Sequence, residues 1–405
     1  MSDRIVTVFS GGGTGGHLYP ALALAGALKR IRPDVRPFFI GAERGIEARV
    51  LPEQGVEHLL VAVEGGRRGG DIAGNLKVLA QLAKAVTRVA ELFRRLRPRL
   101  VVVTGGYAGG PAGIVAILTR TRLVLQEQNS LPGITTRFLS VFATEVHLAF
   151  PEAVAALPRR SRSKARVTGN PVRPPIPIDR DAAAAAFGLD PSRPVVLVVG
   201  GSQGSEALNE GILAAVTAVI QGRVSGPDDL QLLWATGLTH IERIQDTLLK
   251  EGNPSWVHAV GYIQEMPQAL ALASIAVSRA GAMATSEFLA WGIPSILVPL
   301  PTAAADHQRR NAEALQEAGA ALHFTQKEMT GEVLWGAVQG LFGRPAERER
   351  MAGAARARGR PEAVLEIARS LEALLPPPMP TPPMPMSGLR SVNGSVSAPG
   401  GGRLK

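Results

Sequence analysis

Two side chains in the first half of the sequence have the chemistry of a general base. His17 directly follows a glycine-rich run, G-G-G-T-G-G at 11–16, and Glu127 lies two residues after the apolar run 123–125. A neutral imidazole can accept a proton near pH 7, although most histidines do no more than cover or cap a helix. A carboxylate can also accept a proton, or it can orient a substrate. The residue types alone leave both roles open at both positions.

A third group of small and polar residues, S-R-A-G-A-M-A-T-S-E at 278–287, lies in the second half. The apolar run 275–277 before it indicates a buried strand, and the small residues open an apolar helix that stops at Gly292. A strand that turns directly into a helix leaves backbone N–H groups unpaired at the helix start, which favours phosphate. Glu287 lies about one turn into this helix, where its carboxylate could accept hydrogen bonds from a ribose. The alternative is an ordinary strand–helix–strand unit with close packing.

Composition limits the class of protein. The chain has 405 residues, enough for two domains, and its 45% hydrophobic and 19% charged content is typical of α/β proteins. The net charge of +10 is compatible with nucleic acid, anionic lipid or a phosphorylated substrate. Aromatic residues make up only 4%, which argues against stacking on nucleic acid, so we expect no nucleic-acid partner. Cysteine is absent and the seven histidines lie far apart, so we expect no disulfide and no metal site.

The elements that must position these residues alternate between strand and helix patterns, which predicts an α/β fold with two doubly wound domains. Buried strands are expected at 5–9, 37–40, 100–103, 123–125, 194–199, 232–234, 257–260, 275–277 and 295–299. The proline-punctuated run 169–174 is the expected hinge. The expected divisions are an N-terminal domain at 1–168, a C-terminal domain at 169–360, a closing helix at 361–375 and a disordered Pro/Gly/Ser-rich tail at 376–405.

The glycine-rich loops allow more than one kind of anion site. The first contains G-x-G-x-x-G at 11–16, the weak fingerprint of a dinucleotide fold, and a helix is expected after it over Pro20–Arg30. A second loop, G-G-Y-A-G-G-P at 105–111, is unusual for a dehydrogenase and indicates two anionic groups or one diphosphate held from two sides. Neither loop, nor G-G-S-Q-G at 200–204, carries the lysine and Ser/Thr of a P-loop, which disfavours NTP hydrolysis.

The segment 65–98 combines basic and apolar residues at helical spacing. Eight of its residues are Arg or Lys, against one Asp and one Glu. A basic amphipathic helix can lie on an anionic membrane surface, whereas the commoner alternative is a core-facing helix with a solvated charged side. Both hold if the helix packs inward while its rim contacts lipid. No run predicts a signal peptide or a membrane span, so we expect a cytoplasmic protein with peripheral membrane contact.

Taken together, the motifs resemble those of one family. In chain order they are G-G-T-G-G-H (12–17), G-G-Y-x-x-G-P (105–111), E-Q-N (127–129), G-N-P-V-R (169–173), G-G-S-Q-G (200–204), S-R-A-G-A-x-x-x-S-E (278–287), G-x-P (292–294) and D-H-Q-x-x-N-A (306–312). The pattern resembles the bacterial glycosyltransferase that adds N-acetylglucosamine to undecaprenyl-diphospho-muramoylpentapeptide, a precursor of peptidoglycan. The resemblance spans about residues 4–370 and implies a GT-B fold, with two Rossmann-like domains facing each other across a cleft.

The resemblance also implies substrates and site residues. UDP-N-acetylglucosamine would bind the C-terminal domain, and an undecaprenyl-diphosphate-linked acceptor would bind the N-terminal domain at the cytoplasmic face of the inner membrane. The transfer would invert the anomeric carbon and need no cofactor. The implied donor-binding residues are Thr14, Gly15, Gly16, Asn129, Arg173, Ser202, Ile263, Ala282, Met283, Ala284, Thr285, Ser286, Glu287 and Gln308, and the implied residues for the acceptor diphosphate are Gly13, Gly105, Gly106 and Tyr107.

The resemblance does not decide which residue is the base, and it leaves other activities open. We prefer His17 as the base, because its neutral form is available at cytoplasmic pH, and Glu127 would then orient the acceptor. Gln126 stands where some relatives have histidine, so we do not expect an essential base at that position. The alternatives are another GT-B UDP-sugar transferase or a UDP-N-acetylglucosamine epimerase. A nicotinamide-dependent dehydrogenase is more remote, because it would leave the other motifs without a use.

Overall fold

The structure, a computed structural model, describes residues 4–63, 72–227 and 229–378, with the backbone alone for 72–77. Within these residues every strand belongs to one of two sheets, and all strand pairs are parallel. Parallel neighbours cannot be joined by a tight turn, so the connections are crossovers, most of them helical, that cover the faces of each sheet. The prediction of an α/β fold with two doubly wound domains is confirmed.

The first sheet comes from the N-terminal part of the chain. Its strands are β1 (Ile5–Ser10), β2 (Val35–Ala42), β3 (His58–Val61), β4 (Leu100–Val103), β5 (Arg122–Glu127), β6 (Glu145–Leu148) and β7 (Ala165–Val167). Its helices are α1 (Gly15–Ile31), α2 (Glu47–Glu53), α3 (Ile72–Leu96), α4 (Gly109–Leu118), α5 (Ile134–Ser140) and α6 (Glu152–Ala156). The strand order is β3-β2-β1-β4-β5-β6-β7, so the order reverses between β1 and β4. Ligands of doubly wound sheets bind at such a switch point.

The second sheet follows the same plan. Its strands are β8 (Val195–Val199), β9 (Gln231–Ala235), β10 (Val257–Val260), β11 (Ala273–Ser278), β12 (Ser295–Leu297) and β13 (Ala321–His323). The helices of this half are α7 (Arg180–Phe187), α8 (Glu206–Ile220), α9 (Ile241–Lys250), α10 (Met266–Leu272), α11 (Ala282–Trp291), α12 (His307–Glu317), α13 (Gly331–Phe342), α14 (Pro345–Arg358) and α15 (Ala363–Ala373). The order is β10-β9-β8-β11-β12-β13, with its switch point between β8 and β11.

The central strands are continuous apolar runs because both of their faces are buried. In β4, Val101 and Val103 enter the core on one face of the sheet, while Leu100 and Val102 enter the core on the other. The run V-V-L-V-V of β8 divides between two cores in the same way. The side-chain period of two thus gives each sheet two packed faces, and the functional groups are left to the loops at the strand ends.

The last helix of the chain, α15, packs against the first domain. Its buried residues Ile367 and Leu371 join the core formed by Phe9, Leu24 and neighbouring apolar residues, and α15 contacts α1 directly. The hydroxyl of Ser370 donates a hydrogen bond to Glu145 at the start of β6. The chain therefore crosses back to its N-terminal half after completing the second sheet.

Several boundaries differ from the sequence predictions. The helix after the first glycine loop begins at Gly15 rather than at Pro20, and the proline lies inside it. Pro20 resembled a helix start because proline favours the first helical position, but here it only omits the N–H that would bond to Gly16. Four further strands, β3, β6, β7 and β13, were not predicted, because three or four residues carry too little periodicity to identify a strand.

Two predictions fall on parts of the chain outside the described residues. The disordered tail is one, since only 376–378 of the segment 376–405 are described. The other is the start of the basic segment, because 64–71 and the side chains of 72–77 are likewise not described. Elsewhere in the described chain, no helix is both long enough and apolar enough to cross a bilayer.

The packing of α15 on the first domain predicts an effect on stability. Leu371 is fully buried in the core of the first domain, so Leu371→Ala should lower the free energy of unfolding by about 2–5 kcal/mol. Denaturant unfolding followed by circular dichroism measures the loss. The matched control is Arg369→Ala on the exposed side of the same helix, which should change stability little. Equal losses in both variants would contradict the packing of α15 on the first domain.

Candidate active site

His17 lies between the two glycine-rich loops of the first domain. It belongs to the first turn of α1, and its Nδ1 atom is 3.0 Å from the carbonyl oxygen of Thr104 and 2.7 Å from Oε1 of Gln128. The second loop approaches the ring closely at Gly106, whose φ is 72°. A Cβ atom there would lie 2.1 Å from the carbonyl oxygen of Gly12 and 3.0 Å from Cδ2 of His17. Glycine is therefore required for the two loops to meet around the imidazole.

A buried carboxylate, that of Glu47, accepts a hydrogen bond from the backbone of the first glycine-rich loop. Glu47 is fully buried and accepts a hydrogen bond from the backbone N–H of Gly13. Burial raises the pKa of Glu47, while its bond to Gly13 and the nearby His17 act in the opposite direction. On the other side of the loop, a Cβ atom at Gly13 would lie 2.7 Å from the ring of Tyr107. Sequence reasoning missed Glu47, because a carboxylate in the first turn of a short helix normally indicates a solvated surface.

Glu127 is held by four donors at the end of β5. Its Oε1 atom accepts from the backbone N–H of Asn129 at 3.1 Å and from the side-chain amide of the same residue at 3.2 Å. Its Oε2 atom accepts from the N–H of Gly133 at 3.1 Å and from the hydroxyl of Thr136 at 2.6 Å. The side chain is 2% exposed. This carboxylate fixes the loop between β5 and α5, and its lone pairs are already engaged.

Helix α11 presents an open N-terminus in the second domain. Its N-cap, Gly281, has no side chain to bond the first N–H groups, and the first turn carries no acidic residue. Helix α1 shares both features, since the hydroxyl of Thr14 makes no capping hydrogen bond. An anion is favoured at such a helix start, because the unpaired N–H groups and the helix dipole act together. The backbone of the predicted residues Ala282, Met283 and Ala284 forms this turn.

Two predicted donor residues of α11 are already bonded within the protein. Thr285 is buried, and its hydroxyl lies 3.1 Å from the carbonyl oxygens of both Gly281 and Ala282. The hydroxyl of Ser286 accepts a hydrogen bond of 2.9 Å from the side-chain amide of Asn170 in the hinge. Thr285 is thus placed to stabilise the helix start rather than to meet a ligand directly, a role that sequence spacing could not distinguish.

Glu287 is the titratable residue of this helix, and its pKa departs strongly from the ordinary value. Burial raises its pKa to about 7, and the positive charge of Arg173 opposes that shift. Among the described residues, its carboxylate has no hydrogen-bond partner. The N–H and C=O of Ile263 are similarly unpaired within the described chain. Exposed Ser202, in the loop after β8, is equally without a partner there. These groups are free to bind a polar ligand.

The loop before α12 brings further polar groups to the same edge. Oε1 of Gln308 accepts a hydrogen bond of 2.9 Å from the N–H of Leu300, which leaves its NH₂ group to donate. His307 was not predicted as a site residue. Its Nδ1 atom lies 2.6 Å from the carbonyl oxygen of Ala304, and burial lowers its pKa. His17 and Glu127 act on the same pKa from the first domain, so the two domains share one electrostatic environment.

Two buried asparagines join the domains at this edge. Oδ1 of Asn311 accepts from the N–H and the hydroxyl of Ser130, at 2.9 and 3.0 Å, and its amide donates to Oδ1 of Asn129 at 3.2 Å. Asn170 donates to the carbonyl oxygens of Gln128 and Ala282. The carboxyl ends of both sheets therefore meet at this edge. No group of three or more His, Cys, Asp or Glu residues in the described chain is arranged to hold a metal.

Comparison with protein families gives two successive matches. Residues 7–148 match the model of the glycosyltransferase family 28 N-terminal domain, and residues 195–367 match that of the glycosyltransferase family 28 C-terminal domain. The crystal structure of Acinetobacter baumannii MurG superimposes with a TM-score of 0.72 and 27% identity, over 91% of this chain and 99% of that one. The expected GT-B fold is confirmed.

Curated relatives are closer in sequence. A protein of Desulfitobacterium hafniense (strain DSM 10664 / DCB-2) is 39% identical over 367 residues, which cover 89% of this chain and 97% of the relative. A protein of Prosthecochloris aestuarii (strain DSM 271 / SK 413) is 40% identical over 371 residues, 91% of this chain and 98% of the relative. Both are named UDP-N-acetylglucosamine--N-acetylmuramyl-(pentapeptide) pyrophosphoryl-undecaprenol N-acetylglucosamine transferase.

The raised pKa of Glu287 predicts a pH-dependent stability difference. Its folded-state pKa of about 7 exceeds the ordinary value of 4.5, so its contribution to stability falls as the pH rises through this window. Glu287→Gln stays neutral and should be more stable than the parent at pH 8, by on the order of 1–3 kcal/mol, but about equal at pH 4.5.

Denaturant unfolding at the two pH values measures this difference. Glu317→Gln, at an exposed position, is the control and should show little difference at either pH. A stability gain for Glu287→Gln that is the same at pH 4.5 and pH 8 would contradict a raised pKa at Glu287.

Proposed function

The chain belongs to glycosyltransferase family 28, and we propose that it transfers N-acetylglucosamine from UDP-N-acetylglucosamine to an undecaprenyl-diphosphate-linked N-acetylmuramyl-pentapeptide. One structural observation carries the proposal. The open start of α11 and the unpartnered carboxylate of Glu287 lie on one domain, and Asn170 ties that helix to the loop of the other domain that contacts His17. The proposed nucleotide-sugar site and the proposed base are thereby connected by a chain of hydrogen bonds.

In the proposed donor site, each unpaired polar group of the second domain binds one part of UDP-N-acetylglucosamine. The backbone N–H and C=O of Ile263 suit the edge of a uracil, with Arg173 beside it. Glu287 would accept hydrogen bonds from the ribose hydroxyls, because a desolvated carboxylate without a partner gains most from two donors. The first turn of α11 and the hydroxyl of Ser202 would hold the diphosphate. Asn129 and the NH₂ group of Gln308 would then contact the sugar, together with the loop of Thr14, Gly15 and Gly16.

The acceptor half uses the two glycine-rich loops around His17. Gly13 and Gly106 bring bare, partly exposed backbone to this part of the first domain, buried Gly105 packs against the ring of His17, and Tyr107 packs against Gly13. The open N-terminus of α1 adds a second anion site with no acidic residue in its first turn. We propose that these loops hold the diphosphate of the lipid-linked acceptor, so that its sugar lies against His17.

The reaction then needs one proton acceptor and a stabilised leaving group. The 4-hydroxyl oxygen of the acceptor sugar forms a bond to the anomeric carbon from the face opposite the diphosphate. The bond from that carbon to the β-phosphate oxygen breaks, UDP leaves with the electron pair, and the configuration changes from α to β. His17 takes the hydroxyl proton, and the start of α11 stabilises the charge that develops on UDP. Glu127 is a weaker candidate for the base, because its oxygens already accept from four donors.

A membrane-facing surface is part of the proposal, since the acceptor of the curated relatives carries undecaprenol. Helix α5, which begins close to Glu127, exposes Ile134, Phe138 and the adjacent Phe142 to solvent at 78%, 56% and 53%. Arg137 lies among them in the same helix. An exposed apolar surface that includes a basic residue suits peripheral binding to anionic lipid at the cytoplasmic face of the inner membrane.

The described end of the basic segment in α3 lies away from the site. Arg94 and Arg95 end the helix just before β4 begins, so they lie at the amino edge, opposite the site. Arg67 and Arg68 lie outside the described residues. For this reason α5, rather than the end of α3, is the part of the surface that can bring a lipid-linked acceptor to His17.

The runner-up functions receive less support. Crystal structures described as UDP-N-acetylglucosamine 2-epimerases share the fold, for example one from Neisseria meningitidis with a TM-score of 0.62, but their identity of 15% carries no argument about activity. A dehydrogenase would bind its nucleotide on the loop at 11–16, where the imidazole of His17 and the ring of Tyr107 occupy the surface. Transfer assays with the lipid-linked acceptor and UDP-N-acetylglucosamine test the proposal directly.

His17 should matter to turnover rather than to donor binding. His17→Ala removes a group that acts only in the transition state, so kcat should fall by about 10²–10⁴-fold while the affinity for UDP-N-acetylglucosamine stays nearly unchanged. His17→Asn keeps a polar side chain of similar reach and should be nearly as impaired. Steady-state kinetics and calorimetry measure the two quantities. Near-normal turnover of His17→Asn, together with an inactive Glu127→Gln, would assign the base to Glu127 instead.

The surface of α5 should bind lipid. Replacing Phe138 and Phe142 with Gln should reduce co-sedimentation with vesicles that contain anionic lipid, because each exposed ring contributes apolar area to the interface. Turnover of a short-chain, water-soluble acceptor should survive. Leu249→Gln, at a position 70% exposed on α9 of the other domain, is the control and should not change vesicle binding. Unchanged vesicle binding by the double variant would show that α5 is not the membrane surface.

A further inference from the structure

We propose that Gln128 is a positioning residue that fixes the tautomer and the orientation of His17, so that Nε2 is the atom that accepts the proton. The inference rests on the proposed role of His17 as the base. Gln128 directly follows Glu127, is 1% exposed, and lies too deep to contact a substrate itself. Any effect of Gln128 on the reaction is therefore indirect, and its contact with Nδ1 makes His17 the residue through which we propose that it acts.

The orientation of the Gln128 carboxamide follows from its neighbours. Its Nε2 atom is 2.7 Å from the carbonyl oxygen of Thr104, 3.2 Å from that of Gln126, and also bonded to the side-chain oxygen of Gln126. All three neighbours are oxygens that accept hydrogen bonds, so the NH₂ group must face them. The opposite atom, Oε1, therefore points at Nδ1 of His17 across 2.7 Å.

The tautomer of His17 follows in turn. Both neighbours of its Nδ1 atom, the carbonyl oxygen of Thr104 and Oε1 of Gln128, can only accept. Nδ1 must therefore carry a proton and donate it. In a neutral imidazole the other nitrogen, Nε2, then has a free lone pair, and it has no hydrogen-bond partner among the described residues. This is the protonation state that a general base requires.

The oxygen that Gln128 presents is itself held in place by a chain of buried amides. Gln126 receives a hydrogen bond from Gln128 and donates to Oδ1 of Asn170 at 3.0 Å. Asn170 donates in turn to the carbonyl oxygens of Gln128 and Ala282 and to Ser286 of α11. Backbone carbonyls fix the direction of this chain, and in a buried setting each reversed amide would leave unpaired groups. The imidazole is thus connected to the donor-binding helix.

The inference can be tested on the parent protein itself. In ¹⁵N-histidine-labelled protein, the ¹⁵N shifts of His17 distinguish a protonated from an unprotonated ring nitrogen, and His17→Asn identifies the signals. The measurement is made at a pH well above the ordinary pKa of an imidazole. We expect a proton on Nδ1 and a free Nε2. A neutral ring with its proton on Nε2 would overturn the proposal.

A pair of matched variants tests the consequence for turnover. Gln128→Met keeps the volume but removes the acceptor, so kcat should fall at least about 10-fold, with the KM for UDP-N-acetylglucosamine unchanged and the Nε2-protonated tautomer more populated. The carbonyl oxygen of Thr104 still accepts from Nδ1 in this variant, so part of the preference for a proton on Nδ1 remains. The control is Gln231→Met, because Gln231 is also buried and bonded to backbone, at Asp190 in the second domain.

The two variants should lose similar thermal stability, and only Gln128→Met should lose turnover. Equal kcat values for the two would overturn the positioning role. If the parent protein transferred no sugar at all, the proposed function would fail, whereas the tautomer measurement would still give its own answer. Should Gln128→Met not fold, the ¹⁵N shifts of the parent alone decide the inference.

Discussion

The hydrogen bonds of two buried asparagines, Asn170 and Asn311, are the interaction on which the rest of the site depends. Each side chain bonds to both domains, through Gln128 and Ala282 in one case and through Ser130 and Ala280 in the other. An amide buried without partners costs about 1–3 kcal/mol, so these bonds favour an arrangement of the domains in which both side chains are satisfied. The two parallel sheets are thereby held with their carboxyl ends together.

That arrangement concentrates positive potential where the strands end. Helices α1 and α11 both begin at this edge, neither has an acidic residue in its first turn, and neither N-cap makes a side-chain hydrogen bond. The fold thus supplies two anion sites from backbone alone, one on each domain. Two diphosphates, one on a nucleotide and one on a lipid, are the substrates that such a pair of sites suits, and His17 lies in the first turn of α1, beside one of them.

Local features of this molecule could be predicted from the sequence, and contacts between distant residues could not. The runs of β4 and β8 identified buried strands, and the turn before α11 identified a helix start open to anions. Gln128 and His17 are 111 residues apart, and no spacing rule connects them. Glu47 was missed for the same reason, since its burial under Gly13 depends on how α2 packs. Thr285 matched the donor motif, yet its side chain faces the interior.

The central claim is that the nucleotide binds the second domain and presents its sugar to a base on the first. A crystal structure of the protein with bound UDP-N-acetylglucosamine tests this most directly. The account predicts the diphosphate at the start of α11, the ribose hydroxyls on the carboxylate of Glu287, and the anomeric carbon on the side facing Nε2 of His17. A nucleotide bound instead along the glycine-rich loop of the first domain, with α11 and Glu287 left unliganded, would contradict it.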